Sequence, residues 1–171
     1  EQLQQSPIQM TFLGRKDRYG DIDDMTVAAE KKQLQWLENS VEELKANFDY
    51  DKLGQEAQTS YDVWVYQYEQ AKRNAEFRGM DYVFDQMRGA HTFLPQFLIN
   101  FHRVDDSEDM EAYISRIKGG ATAIEQLLQR AKAQVENGVR APRFAYEQVI
   151  KEAKGLISGA PFDEEGDSRL L

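Results

Sequence analysis

The sequence predicts an all-α protein, an up-and-down bundle of three to four long amphipathic helices with further short helices. Apolar residues recur at alternating steps of three and four along several long stretches, and this spacing keeps them on one face of a helix. No segment of useful length alternates apolar and polar residues, as a strand with one buried face would. The β-branched residues fall on the helical stripes instead of forming runs, so we expect no sheet.

The length of 171 residues is enough for one sizeable core, so we expect a single helical domain over residues 1–160. Residues 161–171 are acidic and are predicted to form a linker toward a missing C-terminal region. Within them, Asp167 and Ser168 resemble the cap of a further helix that the sequence does not contain. Because Glu1 is neither an initiator methionine nor part of an apolar signal core, we expect a processed or trimmed part of a longer protein.

The composition excludes several classes of partner and of chemistry. A formal net charge of −9 repels the phosphates of nucleic acids and the surface of anionic membranes. No run reaches the roughly 18 apolar residues of a membrane-spanning helix, so we expect a soluble chain with no transmembrane segment. The absence of cysteine excludes disulfides and thiolate sites, and only His91 and His102 could serve a metal site or a triad. We therefore predict no catalytic residue, no metal site and no cofactor in this chain.

Helix start and stop residues divide the chain. Ser6 and Pro7 supply a capping hydroxyl and a preset backbone angle, so a short opening helix begins there and ends near Gly14. The charged stretch that follows lacks an apolar period and is predicted to be a loop, which leads to a second helix cap at Asp24 or Thr26.

Four apolar stripes follow. The first two are separated only by residues 49–54, so their helices are predicted to pack as an antiparallel hairpin. The third begins after Asp105, Asp106 and Ser107, which place acid and hydroxyl at a helix start, and a glycine pair at 119–120 favours a bend in it. The last follows Pro142 and is expected to end at Gly159. The stripes consist of Leu34, Leu37, Val41, Leu44 and Phe48; Ala57, Tyr61, Trp64, Tyr68, Ala71 and Ala75; Met110, Ile114, Ile117, Ala121, Ile124, Leu128, Ala131 and Val135; and Tyr146, Val149, Ile150, Ala153 and Ile157.

Residues 80–104 depart from the amphipathic pattern. Gly89 permits unusual backbone angles, and Thr92 or Phe93 is predicted to precede a new helix. His91 has two interpretations. It is either a buried, hydrogen-bonded residue that anchors a connection, or a member of a substrate-binding group that projects into a cleft. That candidate substrate-binding group comprises Gln86, Arg88 and His91.

The string Gln-Met-x-Gly-x-His-x-x-Leu-Pro-x-Phe-Leu at 86–98 resembles a bacterial family of secreted lipoproteins of unknown function. Ser6-Pro7 with Phe12-Leu13-Gly14 resembles the opening of that family. Residues 109–117 resemble its next helix, and residues 138–150 resemble the one after, so the resemblance covers nearly the whole chain. One departure is Ala90, where the family pattern leads us to expect proline before the histidine.

The resemblance implies a protein several hundred residues longer than this chain. Its C-terminal half would carry an HExxH helix of the zinc-peptidase type, in which two histidines hold the metal and the glutamate activates water. That motif is absent here, so its zinc ligands map onto no position of this chain. The resemblance also implies a location in the periplasm or at a membrane through a lipid anchor. The implied partners are the missing C-terminal half and a peptide substrate.

Other groups of side chains fit a structural explanation better than a site. The acidic clusters at 21–24, 105–109 and 163–167 lack the ligand spacing of a helix-loop-helix calcium loop. The aromatic residues of the first two stripes, with Tyr66 and Trp36, have the spacing of helix packing. The regular stripes are also typical of a self-associating coiled coil, but three long helices joined by short turns can cover each other within one chain.

Two functions follow from the sequence. In the first, the chain is the N-terminal helical region of a secreted zinc-metallopeptidase-like protein, where it serves as structural cover, contributes to the substrate cleft and is inactive alone. In the second, it is a non-catalytic helical module that binds a protein partner or acts as a scaffold. An HExxH helix encoded downstream would favour the first, and a stop codon soon after Leu171 would favour the second.

Overall fold

The computed structural model describes residues 2–87 and 89–158. Within these ranges every regular element is a helix, so the predicted all-α class is confirmed. Short 3-10 helices lie at Gln2–Gln5 and Tyr50–Lys52. The α-helices are α1 Pro7–Phe12, α2 Val27–Asn47, α3 Gln55–Glu76, α4 Ala90–Phe101, α5 Ser107–Glu136 and α6 Arg143–Ser158.

The predicted cap at Ser6 is confirmed, and Thr26 is the cap of α2 out of the two alternatives, because capping is a local interaction that a few residues specify. The cap side chains at the starts of α1, α2 and α5 each accept a hydrogen bond from a backbone N–H three residues later. These pairs are Ser6 with Gln9 at 3.2 Å, Thr26 with Ala29 at 3.1 Å and Asp106 with Asp109 at 2.9 Å. Gly14 follows α1 with a positive φ of 73°, and α6 begins directly after Pro142.

The helices divide into two compact units. One unit comprises Leu3–Met25 and the described residues from Gly79 onward, and the other comprises Thr26–Arg78. The single domain over residues 1–160 stays a prediction, and the predicted linker at 161–171 lies outside the described residues.

The second unit is the antiparallel hairpin that the sequence predicts. The rings of Trp36 on α2 and Trp64 on α3 meet edge to face, with centroids 6.2 Å apart. The Trp64 Nε1–H donates to Ser40 Oγ at 3.0 Å, and the Tyr68 hydroxyl donates to the carboxylate of Glu38. Because later residues of α3 contact earlier residues of α2, the two helices run in opposite directions.

The first unit has its core between α1, α4 and α5. The buried residues Ile8, Leu94, Phe97, Leu98 and Ala123 form one cluster. Helix α4 also packs against α6. Helix α5 runs continuously through the glycine pair, and the expected bend there stays a prediction. A Cβ on Gly119 would lie 3.3 Å from Ile22 Cγ1, so this glycine allows the preceding loop to approach the helix closely.

The buried face of α5 differs from the predicted one. Four large members of the predicted stripe are between 44% and 47% exposed, namely Met110, Ile114, Ile117 and Leu128. The face beside it is buried instead, and it carries Asp109, Arg116, Ala123, Leu127 and Gln134. Apolar spacing failed to identify this face because three of its five residues are polar, and two of these, Asp109 and Arg116, are held in the interior by hydrogen bonds that the sequence does not reveal.

In α6, too, part of the predicted apolar stripe is exposed. Ala145 is buried, but Tyr146 and Ile150 of the predicted stripe are 41% and 53% exposed. The predicted end of this helix at Gly159 lies outside the described residues.

Replacing Phe97 by alanine should lower the free energy of unfolding by roughly 3–5 kcal/mol, because the side chain is almost fully buried and its loss leaves a cavity. Urea unfolding followed by circular dichroism measures the change. Phe144→Ala is the matched control, since Phe144 is 61% exposed and its loss should change stability by no more than about 0.5 kcal/mol. Equal effects of the two substitutions would contradict the assignment of the core.

Candidate functional site

Residues 80–104, which depart from the amphipathic pattern in the sequence, include the start of α4 and His91. Helix α4 begins at Ala90, three to four residues before the predicted start, and Pro95 lies inside it. The Gly89 carbonyl accepts hydrogen bonds from the backbone N–H and the hydroxyl of Thr92, at 3.0 and 2.9 Å. The earlier start therefore brings His91 into the first turn of the helix.

His91 is buried and is held by α6. Its Nε2 lies 2.7 Å from Glu152 Oε2, and the other carboxylate oxygen of Glu152 accepts a hydrogen bond from Gln148 Nε2 at 2.7 Å. These two bonds, with that from Gln148 the stronger cause, lower the pKa of Glu152. A carboxylate that stays ionised accepts a hydrogen bond from Nε2–H, so it fixes the orientation of the ring.

Gly89 is required by the closeness of this ring. A Cβ at Gly89 would lie 2.5 Å from two atoms of the His91 ring and 2.7 Å from the carbonyl oxygen of Asp85. The Nδ1 of His91 is buried against this backbone and has no hydrogen-bond partner in the described part of the chain. The glycine therefore serves close packing, and its φ of −60° is ordinary.

The three candidate substrate-binding residues have different surroundings. Gln86 is exposed in a turn, His91 is buried, and Arg88 lies outside the described residues. Their joint role in substrate binding stays a prediction.

The most enclosed polar group of this unit is the guanidinium of Arg116, a residue that the sequence did not indicate as important. It donates hydrogen bonds to four groups and lies between the rings of Tyr19 and Phe97, whose centroids are 4.8 and 5.0 Å away. The acceptors are the carbonyl of Asp21 at 3.0 Å, the Nδ1 of His102 at 2.9 Å, the carbonyl of Pro7 at 3.3 Å and the hydroxyl of Thr11 at 2.7 Å. The only sequence feature that could have indicated it is its register, seven residues from both Asp109 and Ala123.

The partner imidazole of His102 is neutral in this arrangement. Because a guanidinium only donates, Nδ1 must accept, and the proton stays on Nε2, which lies 3.1 Å from the Asp109 carbonyl. Burial is the main cause that lowers the pKa of His102, and the charge of Arg116 lowers it further. Tyr19 stacks on the ring at 4.0 Å between centroids. Both ring nitrogens are occupied by protein groups, so His102 has a structural role.

A second buried charge lies at the start of α5. The carboxylate of Asp109 accepts hydrogen bonds from Lys16 Nζ and from the backbone N–H of Asp105. The bond from Lys16 is the main cause that lowers the pKa of Asp109. Lys16 also reaches the carboxylate of Asp105 at 3.0 Å. These contacts attach the loop after α1 to the first turn of α5.

Phenylalanine rings cover the outer side of α1 and α4. Phe93, Phe97 and Phe101 follow one another at four-residue steps along α4, with centroids 6.3 and 6.5 Å apart. Phe12 of α1 meets Phe97 and Phe101 edge to face at 5.5 and 4.6 Å. We call the exposed rings of this group, together with the exposed Leu13 that follows Phe12, the phenylalanine surface. It comprises Phe12, Leu13, Phe93 and Phe101. Its members are 40%, 56%, 41% and 49% exposed.

An apolar groove of about 350 Å³ runs along the C-terminal half of α5. Its lining includes Tyr82, Val83 and Phe84 on one side, Leu128 and Val135 of α5, and Tyr146 of α6. Among the described residues, no three histidine, aspartate or glutamate side chains are grouped so that they could hold a metal ion. No helix in that part of the chain combines the length and apolar character that crossing a membrane requires.

Comparison with known protein families gives a match that covers nearly the whole chain. Residues 7–170 match the model of a family described as bacterial protein of unknown function (DUF885). The chain belongs to this family. No curated protein and no solved structure matches the chain. Of the DUF885-like string, His91, Leu94, Phe97 and Leu98 are buried, which gives these positions a packing role in this chain.

Replacing Arg116 by alanine should lower the free energy of unfolding by at least about 3 kcal/mol, because four acceptors, three of them in buried hydrogen bonds, lose their donor. Arg116→Lys should lower the free energy of unfolding by most of the same amount, since an ammonium group cannot reproduce the planar arrangement of guanidinium donors. Thermal and urea unfolding provide the measurement. Arg143→Ala is the control, because its side chain is 94% exposed, and an Arg116→Ala variant as stable as this control would refute the role.

Stability should fall as the pH drops below the ordinary histidine pKa of about 6.5. The pKa of folded His102 is lowered, so between that value and 6.5 the unfolded chain binds a proton that the folded chain does not. The stabilisation is complete above this window and is lost as the pH falls through it. Imidazole NMR shifts of the folded protein should show neutral His102 with its proton on Nε2 below pH 6.5. A titration midpoint at or above 6.5 would contradict the geometry.

Proposed function

We propose that this chain is the N-terminal helical region of a secreted zinc-dependent peptidase-like protein. In this proposal it covers the catalytic half, contributes the turn at Gln86 to the edge of the substrate cleft, and is inactive alone. Membership of the DUF885 family and the resemblance of residues 86–98 to secreted lipoproteins support the assignment.

The observation that carries the proposal is the phenylalanine surface. Exposed contiguous aromatic groups are unfavourable in water and are typical of surfaces that another protein segment covers. The exposed rings of Phe12, Phe93 and Phe101 pack against Phe97, which the core holds in place. Because these side chains are already ordered, little rotamer entropy is lost when a partner covers them. Residues of both the opening string and α4 contribute, so two parts of the family pattern meet at one surface.

The zinc chemistry belongs to the rest of the protein in this proposal. The described residues offer no set of metal ligands, and His91 already has its Nε2 on Glu152. A bound zinc ion would activate water for hydrolysis in the C-terminal half. The residues of this chain would bind and orient: the phenylalanine surface would hold the two halves together, and Gln86 is exposed and able to meet a peptide.

The test compares this chain with the full-length product of its gene, each with and without a chelator. We expect bound zinc and hydrolysis of a mixed peptide substrate only in the longer protein. Phe93→Gln with Phe101→Gln in that protein should reduce activity at least tenfold and make the link between the halves sensitive to protease, because the surface would no longer hold them together.

Phe144→Gln in the longer protein is the matched control, since Phe144 is exposed but lies on α6. It should leave activity unchanged. A longer protein that binds no metal and cleaves nothing would overturn the peptidase proposal, and the non-catalytic binding module would replace it. Equal effects of the control and of the double substitution would overturn the role of the phenylalanine surface alone.

A further inference from the structure

Helix α5 carries a regular apolar seam on its exposed side. The seam is the predicted stripe, whose members alternate at steps of four and three over more than three heptads. Its large residues Met110, Ile114, Ile117 and Leu128 are between 44% and 47% exposed, whereas Ile124 is partly buried against the core. We call it the α5 seam: Met110, Ile114, Ile117, Ala121, Ile124, Leu128, Ala131 and Val135. A strict repeat of 3.5 residues is the pattern by which one helix receives another, so the occupant that fits this seam is a helix.

Charged residues of alternating sign flank the seam on its open side. Glu111, Lys118, Glu125 and Lys132 each follow a seam residue and are spaced seven apart. All four are exposed, and no ion pair involves them in the part of the chain that the structure describes. The opposite flank is different, since Leu127 and Gln134 are buried in the unit's own core. Only one edge of the seam is therefore available to a partner's charges.

The order of these charges is self-complementary when two copies run antiparallel. In antiparallel coiled coils the residues of one flank face the same flank of the partner. Glu111 then faces Lys132 of the second copy, and Lys118 faces Glu125 of the second copy. By symmetry each contact occurs twice. A parallel arrangement would bring this flank against the buried, uncharged one and would form none of these pairs, so the charge pattern selects the antiparallel direction.

The same alignment matches the apolar residues of the seam. It places Ile117 opposite Leu128 of the second copy, and Ala121 opposite Ile124 of the second copy, where the small side chain allows close approach. Met110 comes to lie opposite Val135 of the second copy. Since Leu128 and Val135 line the groove of about 350 Å³, the first turns of the second α5 would fill that groove.

We propose that the α5 seam is a self-association surface through which two copies of this chain pack antiparallel, α5 against α5. The 26 residues from Met110 to Val135 would form a contact about 40 Å long at 1.5 Å per residue. The proposal does not depend on the phenylalanine surface, which lies on α1 and α4.

The test measures the mass of the 171-residue chain by light scattering and by sedimentation from about 1 to 100 μM, the range in which modest helix interfaces associate. We expect twice the chain mass of 19.8 kDa at the upper concentrations. Glu111→Lys with Glu125→Lys makes the flank wholly positive, and Lys118→Glu with Lys132→Glu makes it wholly negative. Each variant alone should dimerise at least tenfold more weakly, and an equimolar mixture of the two should recover a dimer that contains one of each.

Glu56→Lys with Glu69→Lys is the matched control, because both residues are exposed on α3 and the change in net charge equals that of the positive variant. It should dimerise like the parent chain, and circular dichroism should show all variants folded. A parent chain that stays monomeric at 100 μM would overturn the proposal and leave the seam to a different partner, including another part of a longer protein. Charge variants that dimerise like the parent, or a control that weakens as much as they do, would also overturn it.

Discussion

The guanidinium of Arg116 lies at the point where three separate parts of the first unit meet. Its donors bind α1 through Pro7 and Thr11, the following loop through Asp21, and the residue after α4 through His102. An arginine cannot release its proton to escape burial, so its charge must be stabilised in place. Two carbonyl groups, a hydroxyl, an imidazole nitrogen and two aromatic faces do this. These acceptors are correctly placed only when α1, the loop, α4 and α5 are all in position.

This constraint extends to the surfaces of the unit. Arg116 lies against the ring of Phe97, and Phe97 supports the exposed rings of Phe12, Phe93 and Phe101. Because Arg116 turns one face of α5 inward, the neighbouring apolar face turns outward and becomes the α5 seam. The phenylalanine surface and the α5 seam therefore both follow from which side of α5 is buried. A unit that exposes two apolar surfaces is suited to assembly.

His91 has the surroundings of the first of its two interpretations, a buried, hydrogen-bonded residue that anchors a connection. His91 meets Glu152 across the α4–α6 contact, and Gly89 is the residue that makes room for its ring. A histidine oriented by a carboxylate is also found at catalytic sites, but here the second nitrogen is buried against backbone. Of the candidate substrate-binding residues that the structure describes, Gln86 is the exposed one, and it is the residue on which the proposed contribution to a cleft depends.

Local interactions were enough to predict the helices, their caps and the hairpin. The hydroxyls of Ser6 and Thr26 bind backbone groups three residues away, and the α2–α3 connection is short, so a few neighbouring residues specify each feature. The family resemblance at 86–98 could likewise be recognised from a short stretch of sequence. The buried face of α5 was decided only by tertiary structure, because Arg116 meets Thr11 across 105 positions of sequence. Periodicity ranks residues by polarity, and it cannot identify a buried arginine whose acceptors come from distant parts of the chain.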